Sequence, residues 1–479
     1  MLPLAILWGV VSSCGPYRAP FNGSSTLLWP RPASLKFLPP ASGGERSVGI
    51  MPALFKFQAV NASGPPGATI AAPPSLQAAF DRYFNATFPA ASGEICGYLL
   101  PSLDVAVADL TERPPREGDD ESYALDVPSS GDPATLRAPT LVGALRGLET
   151  FSQLVGLNAA SAQYGIAAAP LSIHDAPAYS HRGLMIDSGR RFVPVAAVKM
   201  LMDGMEASKL NVLHLHASDE CRFGVESKLF PALTAGLVGE QGGFYTQADV
   251  AELVAYARAR AIRIVPEFDL PGHARGLLPL AASGDLLFCT NGSSTPASQL
   301  FNDPPGRTLG TLKALLGEMA ALFGDERVLN IGADETKRAG VCGNVSATYS
   351  LELDVAAHVH GALGRDAQGW EELLFNAAAA AAAGGPAAAL PNGTIIAAWS
   401  RHRAADVVAK GFRAIESHNQ FFYLNKFARA PATPWVDIGE GVRDADRHLL
   451  LGGEMSMWTD GELARPPLPF LRARIYLFC

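Results

Sequence analysis

The stretch 328-VLNIGADETK-337 begins as a run fit for a buried strand, stops at Gly332 and then sets Asp334 and Glu335 side by side. Adjacent like charges repel, and each is easier to keep in water, so a buried strand ending in two carboxylates marks a place where charge has a use. Working outward, similar apolar runs recur at 183-GLMID-187, 211-NVLHLHA-217, 262-IRIVPEF-268, 395-IIAAW-399, 412-FRAIES-417 and 449-LLLGGEMSMW-458, with a fainter eighth near 367-AQGW-370. Helical patterns such as 248-ADVAELVAYARARA-261 fall between them. Strands alternating with helices imply parallel pairing through crossovers, and eight such units predict an α/β fold of the (β/α)8 TIM-barrel type over residues 176–479.

A TIM barrel keeps its chemistry at the C-terminal ends of its strands. The polar residues of this sequence gather there. Asp187 and Arg190 follow the first run, Asp219 and Glu220 the second, Asp269 and His273 (268-FDLPGH-273) the third, and Asp334 and Glu335 the fourth. Trp370, Trp399, Tyr423 with Asn425, and Trp458 with Asp460 follow the rest. Carboxylates and an arginine ringed by aromatics suit a sugar, whose hydroxyls take hydrogen bonds and whose C–H faces stack on rings. His214 and His216 share one strand face and read as interior hydrogen-bonding groups. The competing reading, a metal pair, needs further ligands on later strands, and only His273 is suitably placed. Asp187 reads as an anchor of the barrel mouth.

Upstream, residues 16–175 are rich in Pro, Gly and Ser, with short apolar runs such as 103-LDVAV-107 and one clear amphipathic helix, 140-TLVGALRGLETFSQLVGL-157. A smaller α/β domain is expected there. Residues 1–15 carry an apolar stretch too short to span a bilayer and read as a signal peptide, although a positive leader is lacking. Six N-x-[ST] sequons, at Asn22, Asn61, Asn85, Asn291, Asn344 and Asn392, support passage through the secretory pathway, toward a lysosome or vacuole or the cell exterior. No later segment reads as a membrane span. A net charge of −8 without a basic cluster argues against a nucleic-acid partner. Neither a G-x-S-x-G motif, a P-loop nor a dinucleotide fingerprint appears, so acyl transfer and nucleotide chemistry have no support.

The segments 27-LLWPRP-32, 143-GALRGLETFSQL-154, 181-HRGLMIDSGRRFVP-194, 208-SKLNVLHLHASDE-220, 266-PEFDLPGH-273, 331-IGADE-335, 394-TIIAAW-399, 423-YLN-425 and 452-GGEMSMW-458, in this order, resemble the family 20 β-N-acetylhexosaminidases of the lysosomal and secreted eukaryotic type. The resemblance implies an exo-acting hydrolase of terminal GlcNAc or GalNAc β-glycosides on glycans or chitooligosaccharides. No cofactor or metal is implied, and a homodimer is among the assemblies expected. It implies Glu335 as general acid and base and Asp334 as the group orienting the substrate's acetamido N–H. Asp219 and His273 form a relay to Glu335, with Asp269 behind it. Arg190 binds ring hydroxyls, and Tyr423 the acetamido oxygen. Trp370, Trp399 and Trp458 form a wall, while Asn425 and Asp460 hold the 4- and 6-hydroxyls. The charge of Asp334 is expected to raise the pKa of the neighbouring acid. A disulfide between Cys289 and Cys342 is likewise implied by the resemblance. Cys14 would leave with the signal peptide. Cys96, Cys221 and Cys479 have no evident partners, and Cys221 beside the site is expected to be a free thiol.

The sequence departs from the family pattern at Glu220, Asn330, Ala333 and Asp460, where Asp, His, Gly and Glu are usual. The end, 461-GELARPPLPFLRARIYLFC-479, matches no family segment, so an eighth helix that is missing or improvised, and a poorly stable chain, are expected. Two alternatives stay open: a non-catalytic sugar-binding relative and a metal-dependent TIM-barrel hydrolase.

Overall fold

The computed structural model describes residues 28–39, 47–65, 67–93, 98–159, 161–237, 243–290, 296–336, 345–382, 389–425 and 436–459. The signal-peptide reading, Asn22, Asn291, Asn344, Asp460, Cys14, Cys96, Cys342, Cys479 and the atypical end lie outside the described residues. The chain divides into two compact units between Ala178 and Tyr179, with Glu206–Lys209 grouped with the first.

The first unit is built on a six-stranded sheet in the order Ser34–Phe37, Leu171–Asp175, Tyr123–Val127, Ala134–Thr140, Ser102–Asp109, Lys56–Val60. The last three strands run parallel to one another and the remaining pairs are antiparallel. The expected helix forms over Leu141–Leu154 and is capped by Thr140, whose hydroxyl accepts from the Gly143 N–H at 3.1 Å. It stops short of residue 157 because Gly156–Asn158 is taken into a second, three-stranded sheet. Gly147 lets it press onto the large sheet: a Cβ there would stand 2.2 Å from a methyl of Leu136. Leu148, Phe151 and Leu154 are buried against sheet residues such as Leu103, Leu125 and Leu136. A buried Leu or Phe of this kind contributes roughly 1.5–3 kcal/mol.

The second unit is a closed barrel of eight parallel strands. They are β1 His181–Asp187, β2 Val212–Ser218, β3 Arg263–Leu270, β4 Val328–Gly332, β5 Asp366–Trp370, β6 Ile395–Ala398, β7 Arg413–Glu416 and β8 Leu450–Met457. β1 pairs β8 with His181 opposite Gly452, which closes the ring. Every residue of β2 and of β3 is buried, as expected of parallel strands covered on both faces. The helices used below are α1 Val195–Ala207, α2 Gln247–Arg258, α3 Arg307–Leu322, α4 Val345–Gly361, α5 Glu371–Ala382 and α6 Ala404–Val408. Thr246 and Asp249 cap α2 reciprocally, a motif whose loss costs about 1 kcal/mol.

Two register shifts matter for function. One lies in the β2–β3 pairing between His216 and Ser218, the other in the β3–β4 pairing between Glu267 and Leu270. Irregular pairing re-aims side chains, and both shifts fall where the acidic residues emerge. The faint strand near 367–370 is a full member of the ring. Its sequence, DAQGW, offers little apolar bulk before Trp370, which is why its signal is weak.

Candidate active site

The strand β4 ends in a left-handed turn. Gly332, Ala333 and Glu335 have φ of 71°, 68° and 46°. At Gly332 a Cβ would fall 1.9 Å from Asp269 Oδ1, so this position admits only glycine. The turn sends the two neighbouring acids into different surroundings: Asp334 is buried, whereas the Glu335 side chain is 59% exposed. Ala333, the position where glycine is usual, sits in a conformation that costs an L-residue about 1–2 kcal/mol. Asn330 accepts from the Gly332 N–H at 2.9 Å and holds the start of the turn.

Around this turn the other strand ends converge. His273, itself left-handed at φ 48°, has Nε2 3.3 Å from Glu335 Oε2 and Nδ1 3.4 Å from Asp219 Oδ1. Arg190 reaches Asp219 Oδ2 at 2.9 Å and lies 4.8 Å over the Trp458 ring. Arg190 Nη2 and His273 Nδ1 are 3.5 Å apart. Both are donors when His273 is charged, so the Asp219 carboxylate between them is what allows the approach. Burial opposes the charged form of His273. The Asp334 charge and hydrogen bonds to Asp219 and Glu335 outweigh it and push its pKa up to about 12. Burial likewise penalises the Asp219 carboxylate, but His216, His273 and Arg190 hold its pKa far below the usual range. Asp269 is the reverse case: burial first, then the charge of Asp334, raise its carboxyl well above that range. Asp334 is also raised by burial, and His273 and a hydrogen bond from Asp269 work against that rise. Of the two, Asp269 is pushed toward the neutral form by burial and the Asp334 charge, while His273 and Asp269 pull Asp334 toward ionisation. Asp187 is fully buried and accepts from the Arg190 backbone at 3.0 Å and from Thr459 N and Oγ1 at 3.1 and 3.0 Å. It anchors the mouth.

The aromatic residues form one cluster. Trp399 stacks on Tyr423 with centroids 6.1 Å apart and planes 9° apart, Tyr423 lies 5.9 Å from Trp458, and Trp458 lies 5.9 Å from Trp370. Trp370 is almost wholly buried and donates its indole N–H to Glu267 at 2.8 Å. Trp399 is half-buried. Asn425 lies two residues beyond Tyr423 in the same loop.

His214 and His216 make the interior hydrogen bonds expected of them. His214 contacts Glu454 at 2.7 Å and Glu267 at 2.8 Å; His216 contacts Glu267 at 2.5 Å and Asp219 at 2.8 Å. Three overlapping trios, Asp187–His216–Asp219, His216–Glu267–Asp269 and Asp219–Asp269–His273, bring metal-ligand atoms within 4.8 Å of one another. In the two trios that contain His216, both of its ring nitrogens are already occupied by carboxylates. The sequence reading passed over Glu267, although it shares the inward face of β3 with Asp269 by the period of two. It also passed over Glu454, Glu371 and Glu372. Cys221 is a free, exposed cysteine, as expected. Cys289 is buried and disulfide-bonded.

Residues 179–460 match the family model described as Glycosyl hydrolase family 20, catalytic domain, and residues 28–154 match one described as beta-acetyl hexosaminidase like. Beta-hexosaminidase 1 of Arabidopsis thaliana is 28% identical over 500 residues, covering 96% of this chain and 85% of the relative. Beta-hexosaminidase subunit alpha of Bos taurus is 28% identical over 92% of this chain and 85% of its own. Beta-hexosaminidase subunit beta of Sus scrofa is 34% identical over 66% of this chain and 57% of its own. Among solved structures, the Streptomyces plicatus N-acetyl-beta-hexosaminidase in complex with Thio-NAglucal superposes with a TM-score of 0.69 at 23% identity, over 94% of this chain and 90% of that one. The chain belongs to glycosyl hydrolase family 20 and is a glycoside hydrolase.

Proposed function

We propose that the protein releases terminal, non-reducing β-linked N-acetylglucosamine or N-acetylgalactosamine from glycans or chitooligosaccharides, with retention and with the sugar's own acetamido oxygen as nucleophile. The observation that carries this reading is the division of labour at 334-DE-335: one acid buried and one exposed, from a single strand end. Most retaining glycosidases use two carboxylates on opposite sides of the bond, about 5–5.5 Å apart, and substrate-assisted families are the exception. Two consecutive residues on one turn fit the exception.

In the first step Glu335 gives its proton to the glycosidic oxygen, the C1–O bond breaks, and the acetamido oxygen bonds to C1. Positive charge then spreads over the cyclic oxazolinium, and Asp334 accepts from its N–H and offsets that charge. In the second step Glu335 takes a proton from water, the hydroxide adds to C1, and the ring opens. His273 and Asp219 set the field at Glu335, Asp269 supports Asp334, and Arg190, Asn425 and Asp460 hold the ring hydroxyls. Tyr423, Trp370, Trp399 and Trp458 enclose the N-acetyl group. Exposed sequon asparagines at Asn61, Asn85 and Asn392 support extending the proposal to a glycoprotein of the secretory pathway, lysosomal, vacuolar or extracellular. The Cys289–Cys342 pairing belongs to the same reading. Among the described residues no helix is long and apolar enough to cross a membrane.

Chromogenic β-GlcNAc and β-GalNAc glycosides, assayed beside the plain β-glucoside, test this. The N-acetyl substrates are expected to turn over and the glucoside to be almost inert, while a thiazoline mimic of the cyclic intermediate inhibits competitively. Efficient glucoside cleavage, or a glycosyl-enzyme trapped with a 2-fluoro sugar, would show that a protein carboxylate is the nucleophile.

A further inference from the structure

We propose that Glu372 is a positioning residue for the N-acetyl pocket: its carboxylate fixes the indole of Trp399, and through that ring Tyr423, against the substrate's acetamido group. The proposal rests on the reading above. It starts from a second pair of adjacent acids. β5 ends at Trp370 and α5 begins at once with Glu371 and Glu372, so the first turn of this helix faces the loop that follows β6. The Glu371 carboxylate accepts from the backbone N–H groups of Trp399, Ser400 and Arg401 at 3.0, 3.0 and 2.8 Å. Glu372 Oε2 accepts from the Trp399 indole N–H at 2.9 Å. One acid fixes the loop's backbone, and its neighbour fixes the angle of the ring that the loop carries.

The ring angle has a consequence because Trp399 lies nearly parallel to Tyr423. A rotated indole would displace the phenol, the group that meets the acetamido oxygen in the proposed reaction. Charge points the same way. The groups facing Glu372 are Asp334 at the end of β4, Glu371 beside it, Glu352 from α4, and the Tyr423 hydroxyl. None of these is a cation. Burial first, then the Asp334 charge, push the Glu372 carboxyl up to about 7. A developing positive charge beside Asp334 therefore also favours ionised Glu372, which is the better acceptor for the indole.

The test compares Glu372→Leu with Glu372→Gln in kcat and KM from pH 4 to 9 on the N-acetylglucosaminide, together with the near-UV circular dichroism of the free proteins. Glu372→Leu removes the acceptor, and KM is expected to rise roughly 10-fold or more, with a smaller change in kcat. Glu372→Gln keeps an acceptor oxygen and is expected to recover most of that loss, while abolishing the pH dependence of KM centred near 7. An unchanged KM in the leucine variant would overturn the proposal. If that variant does not fold, a glutamine variant that still shows the step near 7 overturns it instead. Should the wild-type enzyme cleave no N-acetylhexosaminide at all, the functional reading falls separately. The tryptophan dichroism then decides, and a band left unaltered by the leucine variant ends the positioning role.

Discussion

Carboxylates of the barrel that meet imidazole and carboxylates that face the charge of Asp334 ionise in opposite ways. Glu454 and Glu267 in the interior and Asp219 at the end of β2 are each met by imidazole: His181 and His214 on Glu454 at 3.0 and 2.7 Å, His214 and His216 on Glu267 at 2.8 and 2.5 Å, and His216 on Asp219 at 2.8 Å. Burial raises all three, but the imidazoliums outweigh it and hold them below their ordinary range. Burial and the charge of Asp334 raise Asp269 against the pull of His273 and His216, and they raise Glu372, which faces no cation. Burial alone therefore does not set the charge of an acid; a cation within reach of its oxygens does. The acids met by imidazole are fixed charges; Asp269 and Glu372, crowded by the charge of Asp334, are held toward the neutral form.

The contrast between the site and the interior sharpens when one acid of each is neutralised. Glu335→Gln keeps the shape of the proposed general acid and removes its proton. Turnover of a substrate with a poor leaving group is expected to fall by roughly 10²–10⁴, and less with a leaving group of low pKa. Because the side chain is exposed, its melting temperature should barely move. Equal losses on both substrates would remove Glu335 from the acid role.

Glu267→Gln is the converse. It leaves His214 and His216 short of a counter-charge in a site without water access, and breaking one side of a buried ion pair costs roughly 3–5 kcal/mol. Calorimetry should show that loss as a large drop in melting temperature. A variant that melts like the wild type would mean that the interior imidazoles are neutral and that the contrast is wrong.

The β/α alternation, the barrel and the sorting of polar residues to strand ends were legible because they follow from periodicity, which the chain displays directly. The partner of each acid was not. That Glu267 would serve two histidines and the indole of Trp370 depends on which inward faces meet across the ring, and strand register sets that. The same holds for 371-EE-372. Its sequence looks like an ordinary acidic helix start, and only the closed barrel shows the β6 loop lying across it. The depth of Trp370 was hidden for a related reason: a strand-end tryptophan announces its position but not its burial. The neighbour-charge argument for the acid was incomplete too, since His273 is the group 3.3 Å from Glu335.

A smaller effect should appear in stability against pH. His214 is lifted from 6.5 to about 9 by Glu454 and Glu267, against the cost of burial. A group raised in the folded state contributes fully below its ordinary value, so this contribution is lost as pH climbs from 6.5 through 9. Glu372, and Glu149 of the first unit, are raised from 4.5 to about 7, chiefly by burial, and their contribution fades between those values. Glu454 runs the other way. Its pKa is lowered from 4.5 to about 2, so its contribution is lost as pH falls through that interval. Melting temperature should therefore peak near pH 4.5–5 and decline toward 9, as a thermal-shift series would show. A maximum above pH 7 would contradict these directions.

The smallest expected effect belongs to one of two neighbours in the turn that divides the acids. Gly332 and Ala333 have nearly the same φ, 71° and 68°, but their surroundings differ. Gly332→Ala drives a methyl into Asp269 Oδ1, so the turn must open or the carboxyl must move. A cost of about 3 kcal/mol is expected, in the range of strained backbone outliers, together with loss of much of the activity, because in the proposed mechanism Asp269 supports Asp334. Ala333→Gly does the opposite. It relieves about 1–2 kcal/mol of left-handed strain and gives back roughly 0.5–1 kcal/mol through the freer unfolded chain, besides a buried methyl worth about 0.8 kcal/mol. The terms nearly cancel, so melting temperature should shift by no more than a degree or two, with Glu335 still directed outward and activity retained. Paired measurements on the two variants would show whether the turn owes its shape to conformation or to space. A large loss on Ala333→Gly would mean that the methyl, wholly buried, supports the turn by packing.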